Sequence, residues 1–166
     1  MRIYLIGLPA CGKSTVGKEL AKSINYTFLD LDKYIVEKNG ETIDQMFHKG
    51  EAYFRDKETN ALSDTQNLSD TVISCGGGIV ERDNNKSLMK GLVVYLDCPL
   101  NEIEFRLKND TTSRPVSKKV NIYDLYDRRE SKYEDFKTFK VTSTIVSETV
   151  KEIRKGIKKY EKNFSN

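Results

Sequence analysis

Tryptophan is absent from this chain, and histidine occurs once, at His48. Its three cysteines, Cys11, Cys75 and Cys98, are odd in number and form no C-x-x-C pair. That supply argues against a disulfide framework and makes a poor structural zinc set. Reduced thiols in a cytoplasm are the expectation. No apolar run approaches the length of a membrane span, so no membrane partner is expected. A start directly in a strand, without a charged-then-apolar leader, is the expectation. An excess of one charge is also missing. The 28 Lys and Arg stand against 25 Asp and Glu, and a net +3 is too weak a bias to call for nucleic acid. The Lys-rich final helix reads as a solvated face. Repeats, low-complexity tracts and linkers are lacking too. What is present is 166 residues with 37% hydrophobic content, enough for one domain, 1–166, with a sizeable core.

Short apolar runs mark five strands, at 2–6, 26–32, 71–75, 92–96 and 139–141. Between them lie helical patterns. Val16, Leu20 and Ile24 recur at helical spacing over 15–24, and a helix follows at 33–38, stopped by Asn39-Gly40. Thr42 is the candidate N-cap of a helix carrying Ile43, Met46 and Phe47, which Gly50 breaks. Residues 51–66 turn Phe54, Ala61 and Leu62 inward, and a short helix closes at 87–90. Pro99 opens another through Leu107. Leu125, Arg129 and Tyr133 recur at four over 121–136, and Val150, Ile153 and Ile157 line 149–162. Residues 109–119 are polar, hold Arg114-Pro115, and have no apolar period, so they read as a mobile loop. Strands alternating with helices predict an α/β fold, a parallel sheet with helices on both faces. Ligands in such folds sit beyond the carboxyl ends of the strands.

One motif organises the chain. Gly7-Leu8-Pro9-Ala10-Cys11-Gly12-Lys13-Ser14 fits G-x-x-x-x-G-K-[ST] between a strand and a helix, the phosphate-binding loop of P-loop NTPases. Glycines let successive N–H groups turn inward around an anion, and the helix N-terminus adds its own. Lys13 is expected on the outer phosphates and the Ser14 hydroxyl on Mg²⁺. Cys11, beside Lys13, is either a packed, inert residue or a thiol that MgATP would protect. Asp30 and Asp32 alternate at the end of the second strand, so one face would carry both. One acid near Mg²⁺ and one orienting the attacking hydroxyl is what phosphoryl transfer needs. A solvated strand end with a helix N-cap is the other reading. Gly76-Gly77-Gly78 after the third strand is either an ordinary turn or a place where a ligand approaches the backbone.

Together these segments resemble the shikimate kinase family from end to end. The resemblance rests on the phosphate loop, the Phe28-Leu29-Asp30-Leu31-Asp32 strand and Glu51-x-x-Phe54-Arg55. Ser74-Cys75-Gly76-Gly77-Gly78, Thr112-Ser113-Arg114-Pro115 and Arg129-x-x-x-Tyr133 complete it. It implies a three-layer P-loop fold like that of the nucleoside monophosphate kinases, with five parallel strands and a mobile lid at about 109–121. It implies transfer of the ATP γ-phosphoryl group to the 3-hydroxyl of shikimate, on the route to chorismate and the aromatic amino acids, by a cytoplasmic monomer. Lys13, Asp32 and Arg114 would be catalytic. Gly7, Ala10, Cys11, Gly12, Lys13, Ser14, Thr15, Arg106 and Arg114 would bind ATP, with Arg106 nearest to the family's adenine-contacting arginine. Ser14 and Asp30 would hold Mg²⁺. Asp32, Arg55, Gly76, Gly77, Gly78 and Arg129 would bind shikimate, the two arginines taking its carboxylate. The family's adenine loop usually carries a proline, and 141–145 here has none. Rival readings are another small P-loop kinase, for gluconate or a nucleoside monophosphate, a nucleotide switch without an acceptor, and a nucleic-acid-binding module.

Overall fold

Ile3, Tyr4, Leu5 and Ile6 are fully buried. A strand covered on both faces belongs inside a parallel sheet between helical layers. The computed structural model, which describes residues 1–109 and 121–164, has that arrangement. The strands are β1 (Arg2–Ile6), β2 (Thr27–Asp30), β3 (Thr71–Ser74), β4 (Leu92–Leu96) and β5 (Phe139–Val141). Their order is β2-β3-β1-β4-β5, and every neighbouring pair is parallel. This is the five-stranded parallel sheet that the sequence predicts.

The helices are α1 (Lys13–Ile24), α2 (Leu31–Asn39), α3 (Ile43–His48), α4 (Glu51–Asp64), α5 (Asn85–Leu88), α6 (Leu100–Asn109), α7 (Ile122–Phe136) and α8 (Val146–Phe164). The chain crosses from β1 leftward to β2, then moves rightward to β3, β4 and β5. Right-handed crossovers therefore put α1 on one face and α2 to α7 on the other. The chain ends by packing α8 against α1. Thr42 caps α3 through a complete capping box with Gln45. Gly40, at φ 65°, ends α2.

Several boundaries differ from the sequence reading. The second strand stops at Asp30 instead of running on through Asp32. Asp30 turns its carboxylate onto Lys33 N and caps α2, while Leu31 and Ile35, four apart, are buried beneath that helix. Asp32 therefore lies in the first turn of a helix, not on a strand face beside Asp30. The helix read as 51–66 ends at Asp64 and tightens into a 3₁₀ turn, Thr65–Asn67. The short helix read as 87–90 lies at Asn85–Leu88. The last helix starts at Val146, because Thr149 bonds back to Ile145 O from within the helix.

Parallel pairing brings the strand ends level. Asp30 and Leu5 both register with Ser74, and Ile6 registers with Tyr95. The turns after β1, β2 and β3 thus open on the same edge of the sheet.

Candidate active site

The phosphate loop begins where β1 ends. Gly7 takes φ 147°, and a Cβ there would lie 2.6 Å from Leu96 O, so only glycine fits. Ala10, at φ 60°, and Gly12, at φ 93°, also turn left-handed, which folds the loop back to the start of α1. Lys13 is buried, and its Nζ donates to Gly7 O at 2.8 Å and Leu8 O at 2.7 Å, with Cys11 Sγ at 3.5 Å. Cys11 is itself buried. Thr15 is exposed on the first turn of α1. Arg106, from α6, donates to Ala10 O at 3.2 Å and lies over Gly12, so it does reach this loop.

Ser14 connects the loop to its neighbours. Its hydroxyl donates to Asp30 Oδ2 at 2.9 Å and lies 3.2 Å from Ser74 Oγ. Of the two readings of Asp30, the helix cap is observed, and the carboxylate also accepts from the phosphate loop. One oxygen caps α2 and the other faces the phosphate loop. The group is three oxygen donors wide, the donor chemistry that Mg²⁺ prefers.

The triple glycine adjoins this group directly. A Cβ on Gly77 would meet Pro9 Cδ at 2.8 Å, so the turn touches the phosphate loop. A Cβ on Gly76 would lie 2.9 Å from Asp32 Oδ1 and 3.0 Å from Glu58 Oε1, and one on Gly78 would lie 2.5 Å from Arg55 Cζ. The bare backbone is what lets Asp32, Glu58 and Arg55 converge here. Arg55 and Glu58 come from successive turns of α4 and form a buried pair at 2.7 Å, with Glu51 3.5 Å away on the rim. Arg55 Nε and Glu58 Oε1 are buried without a hydrogen-bond partner among the described residues. Orphaned polar atoms of this kind are rare in folded proteins and suit a polar ligand.

Burial pushes the Glu58 carboxyl up from 4.5 to about 6, against the pull of Arg55, with Asp32 adding to the rise. A folded-state pKa above the unfolded one stabilises the protein below the unfolded value, and that gain is lost as pH rises through the folded value. The shift corresponds to about 2 kcal/mol. The thermal midpoint is therefore expected to fall between pH 4.5 and pH 6 through this group. Melting curves of the wild type and Glu58→Gln across that window test it. An identical slope in the variant would assign the effect to other carboxyls.

Arg129 and Tyr133 share one face of α7 and both are buried. The Tyr133 hydroxyl donates to Gly77 O at 2.5 Å, and its ring stacks on Tyr95 at 5.0 Å. Arg129 Nε lies 2.6 Å from Glu81 Oε1. The charges form one alternating cluster, since Glu58 feels Arg129 as well as Arg55, and Arg55 feels Glu81. Arg114 and the core of the expected lid lie outside the described residues, between the end of α6 at Asn109 and Asn121, which caps α7.

The structure thus gathers Lys13, Ser14, Asp30, Asp32, Arg55, Gly76, Gly77, Gly78 and Arg129 along one edge of the sheet. Sequence reasoning missed Glu58, Ser74 and Glu81. Glu58 follows Arg55 at helical i,i+3 spacing, a signal that was there to use. Ser74 could be found only through strand register. Glu81 meets Arg129 across 48 residues, and nothing local announces it.

Known proteins resemble this chain in sequence and in fold. The sequence model of the shikimate kinase family matches residues 9–158. A shikimate kinase from Clostridium botulinum (strain Eklund 17B / Type B) is 38% identical over 161 residues, covering 94% of this chain and 96% of the relative. Among solved structures, a shikimate kinase from Acinetobacter baumannii in complex with shikimate superposes with a TM-score of 0.88 at 30% identity, over 96% of this chain and 93% of that one. The shikimate kinase of Aquifex aeolicus superposes at 0.80 with 37% identity, over 95% and 96%.

Proposed function

The chain belongs to the shikimate kinase family, and from that premise we propose that it transfers the ATP γ-phosphoryl group to the 3-hydroxyl of shikimate, with the roles below. The observation that carries this reading is the contact of Gly77 with Pro9, which joins a phosphate loop to a turn lined by Asp32, Glu58 and Arg55. Donor and acceptor sites side by side are what direct transfer requires.

Lys13 and the inward N–H groups of the loop hold the phosphates. Mg²⁺ usually keeps several waters and takes one or two protein oxygens along with phosphates. Ser14 and Asp30, 2.9 Å apart, fit that donor set. The bound ion would neutralise charge on the transferring group. Asp32, at the positive end of α2 and beside Gly76, orients the acceptor hydroxyl and takes its proton. Arg55 and Arg129 take the acceptor carboxylate, and Arg106 lies against the nucleotide. Arg114 is assigned to the phosphates from sequence alone. The same reading takes the enzyme as a cytoplasmic monomer. Among the described residues no helix is long and apolar enough to cross a membrane.

Coupled ADP detection with shikimate, gluconate and nucleoside monophosphates offered separately tests the assignment. ADP release that depends on shikimate alone is expected. Slow hydrolysis indifferent to every acceptor would instead favour a nucleotide switch.

The carboxylate clamp has its own kinetic signature. The carboxylate keeps its charge throughout the reaction, so losing a ligand to it falls on KM rather than kcat. Arg129→Ala is expected to raise the KM for shikimate about 10- to 150-fold, the range for a hydrogen bond to a charged group. Arg55→Ala is a poorer probe, because it would leave Glu58 buried without its cation, at a cost of about 3–5 kcal/mol. Gly78→Ala keeps both charges. Its methyl group occupies the place of the Arg55 guanidinium and moves it without deleting it. A similar rise in KM is expected, with a fall in the thermal midpoint smaller than that of Arg55→Ala, since Glu58 keeps a cation nearby. Normal shikimate binding in both Arg129→Ala and Gly78→Ala would remove the clamp.

A further inference from the structure

Glu81 sits three residues beyond the triple glycine and takes no part in the scheme above. It is 15% exposed and draws three cations of α7: Arg129 Nε at 2.6 Å, Arg128 Nη2 at 3.0 Å and Lys132 Nζ at 3.5 Å. Burial alone would raise the pKa of its carboxyl. The hydrogen bond and charge of Arg129, with the charges of Arg128 and Lys132, outweigh burial and lower it.

The geometry of Arg129 makes this contact consequential. A guanidinium is a rigid planar fork, and Nε lies on a different edge from the end-on Nη1/Nη2 pair. A carboxylate bonded to Nε therefore sets the plane of the fork without using its end-on edge. Four residues on, Tyr133 bonds to Gly77 O. The same face of α7 is thus pinned to the substrate turn and its continuation at two points. Glu81 would also repel an incoming carboxylate. Three cations against one carboxylate leave this cluster at +2, however, so the balance favours an anion.

We propose that Glu81 is a positioning residue for the acceptor: it holds the Arg129 guanidinium in the plane in which that side chain meets the acceptor's carboxylate. The inference rests on the reading of Arg129 as a carboxylate ligand. Without Glu81 the guanidinium must be ordered by each substrate that binds. Ordering one rotamer-rich side chain corresponds to about 2- to 12-fold in affinity.

The test is steady-state kinetics with shikimate varied at saturating MgATP. Glu81→Gln keeps the shape and weakens the acceptor, and Glu81→Leu removes it. Both are expected to raise the KM for shikimate within that range, Leu more than Gln, with kcat and the KM for MgATP unchanged. In an Arg129→Ala background the same substitutions should add nothing, because the residue acts through Arg129. A KM that stays level or falls in Glu81→Gln and Glu81→Leu overturns the proposal. So does an equal rise in the Arg129→Ala background, which would assign Glu81 a general structural role. If Arg129→Ala alone binds shikimate normally, the carboxylate clamp fails, and the role of Glu81 falls with it.

Discussion

Lys13→Ala should lose about 10²–10³-fold or more in kcat while keeping its fold. The loss follows from removing a preorganised charge from transferring phosphates in a water-poor site. The fold should survive because Lys13 is not what holds the loop in place. The turn is set by the left-handed residues Gly7, Ala10 and Gly12, and α1 is anchored by Val16 and Leu20 in the core. In the wild type, Lys13 Nζ also satisfies Gly7 O and Leu8 O. Some loosening of the loop, seen as a raised KM for MgATP, is therefore part of the expected result. Single-turnover kinetics with a melting curve separate the two effects. A near-normal kcat would end the assignment of this loop to phosphoryl transfer.

Asp32→Asn should cost about 10²–10⁴-fold in kcat, the usual range for loss of a general base. The substitution keeps the shape and removes the charge that faces Gly76 and neighbours Glu58. Removing one acid from that cluster also relieves Glu58, whose pKa Asp32 helps to raise. The Glu58 midpoint should therefore move down in the variant, an independent sign that the two carboxyls face each other. If kcat survives and only the KM for shikimate rises, Asp32 is a binding residue, and proton removal lies elsewhere.

The phosphate loop was legible because its chemistry is local. One octapeptide holds the glycines, the lysine and the hydroxyl, with a strand before it and a helix after. Buried faces were legible for the same reason, and Leu125, Arg129 and Tyr133 show it, since spacing alone puts all three beneath α7. Asp32 was harder. Leu29 and Leu31 alternate as a strand would, but Leu31 and Ile35 also stand one helical turn apart, and an Asp precedes them. The cap and the i,i+4 pair decided the outcome, so Asp32 reaches the site from a helix start. Arg55 and Arg129 were read as candidate site residues but without their carboxylate partners. Glu58 was within reach, one helical turn from Arg55. Glu81 was not, because its contact with Arg129 exists only after the turn beyond β3 meets α7.

The pairing of β1, β3 and β2 serves as a ruler for the reaction. Reacting atoms must come within about 3–3.5 Å of each other. One residue of a parallel strand advances about 3.3 Å. A slip of β3 by a single position would carry the glycine turn along by about the whole working distance, and would also exchange the side chains that β3 presents to the two helical layers. The tolerance for misalignment is therefore smaller than the smallest step the ladder allows. Alignment of donor and acceptor is then not adjustable by degrees: it is kept by the registers Leu5 with Ser74 and Asp30 with Ser74, or it is gone. The buried Ile3 of β1 and Val72 and Ile73 of β3, away from the phosphate loop, help maintain that distance.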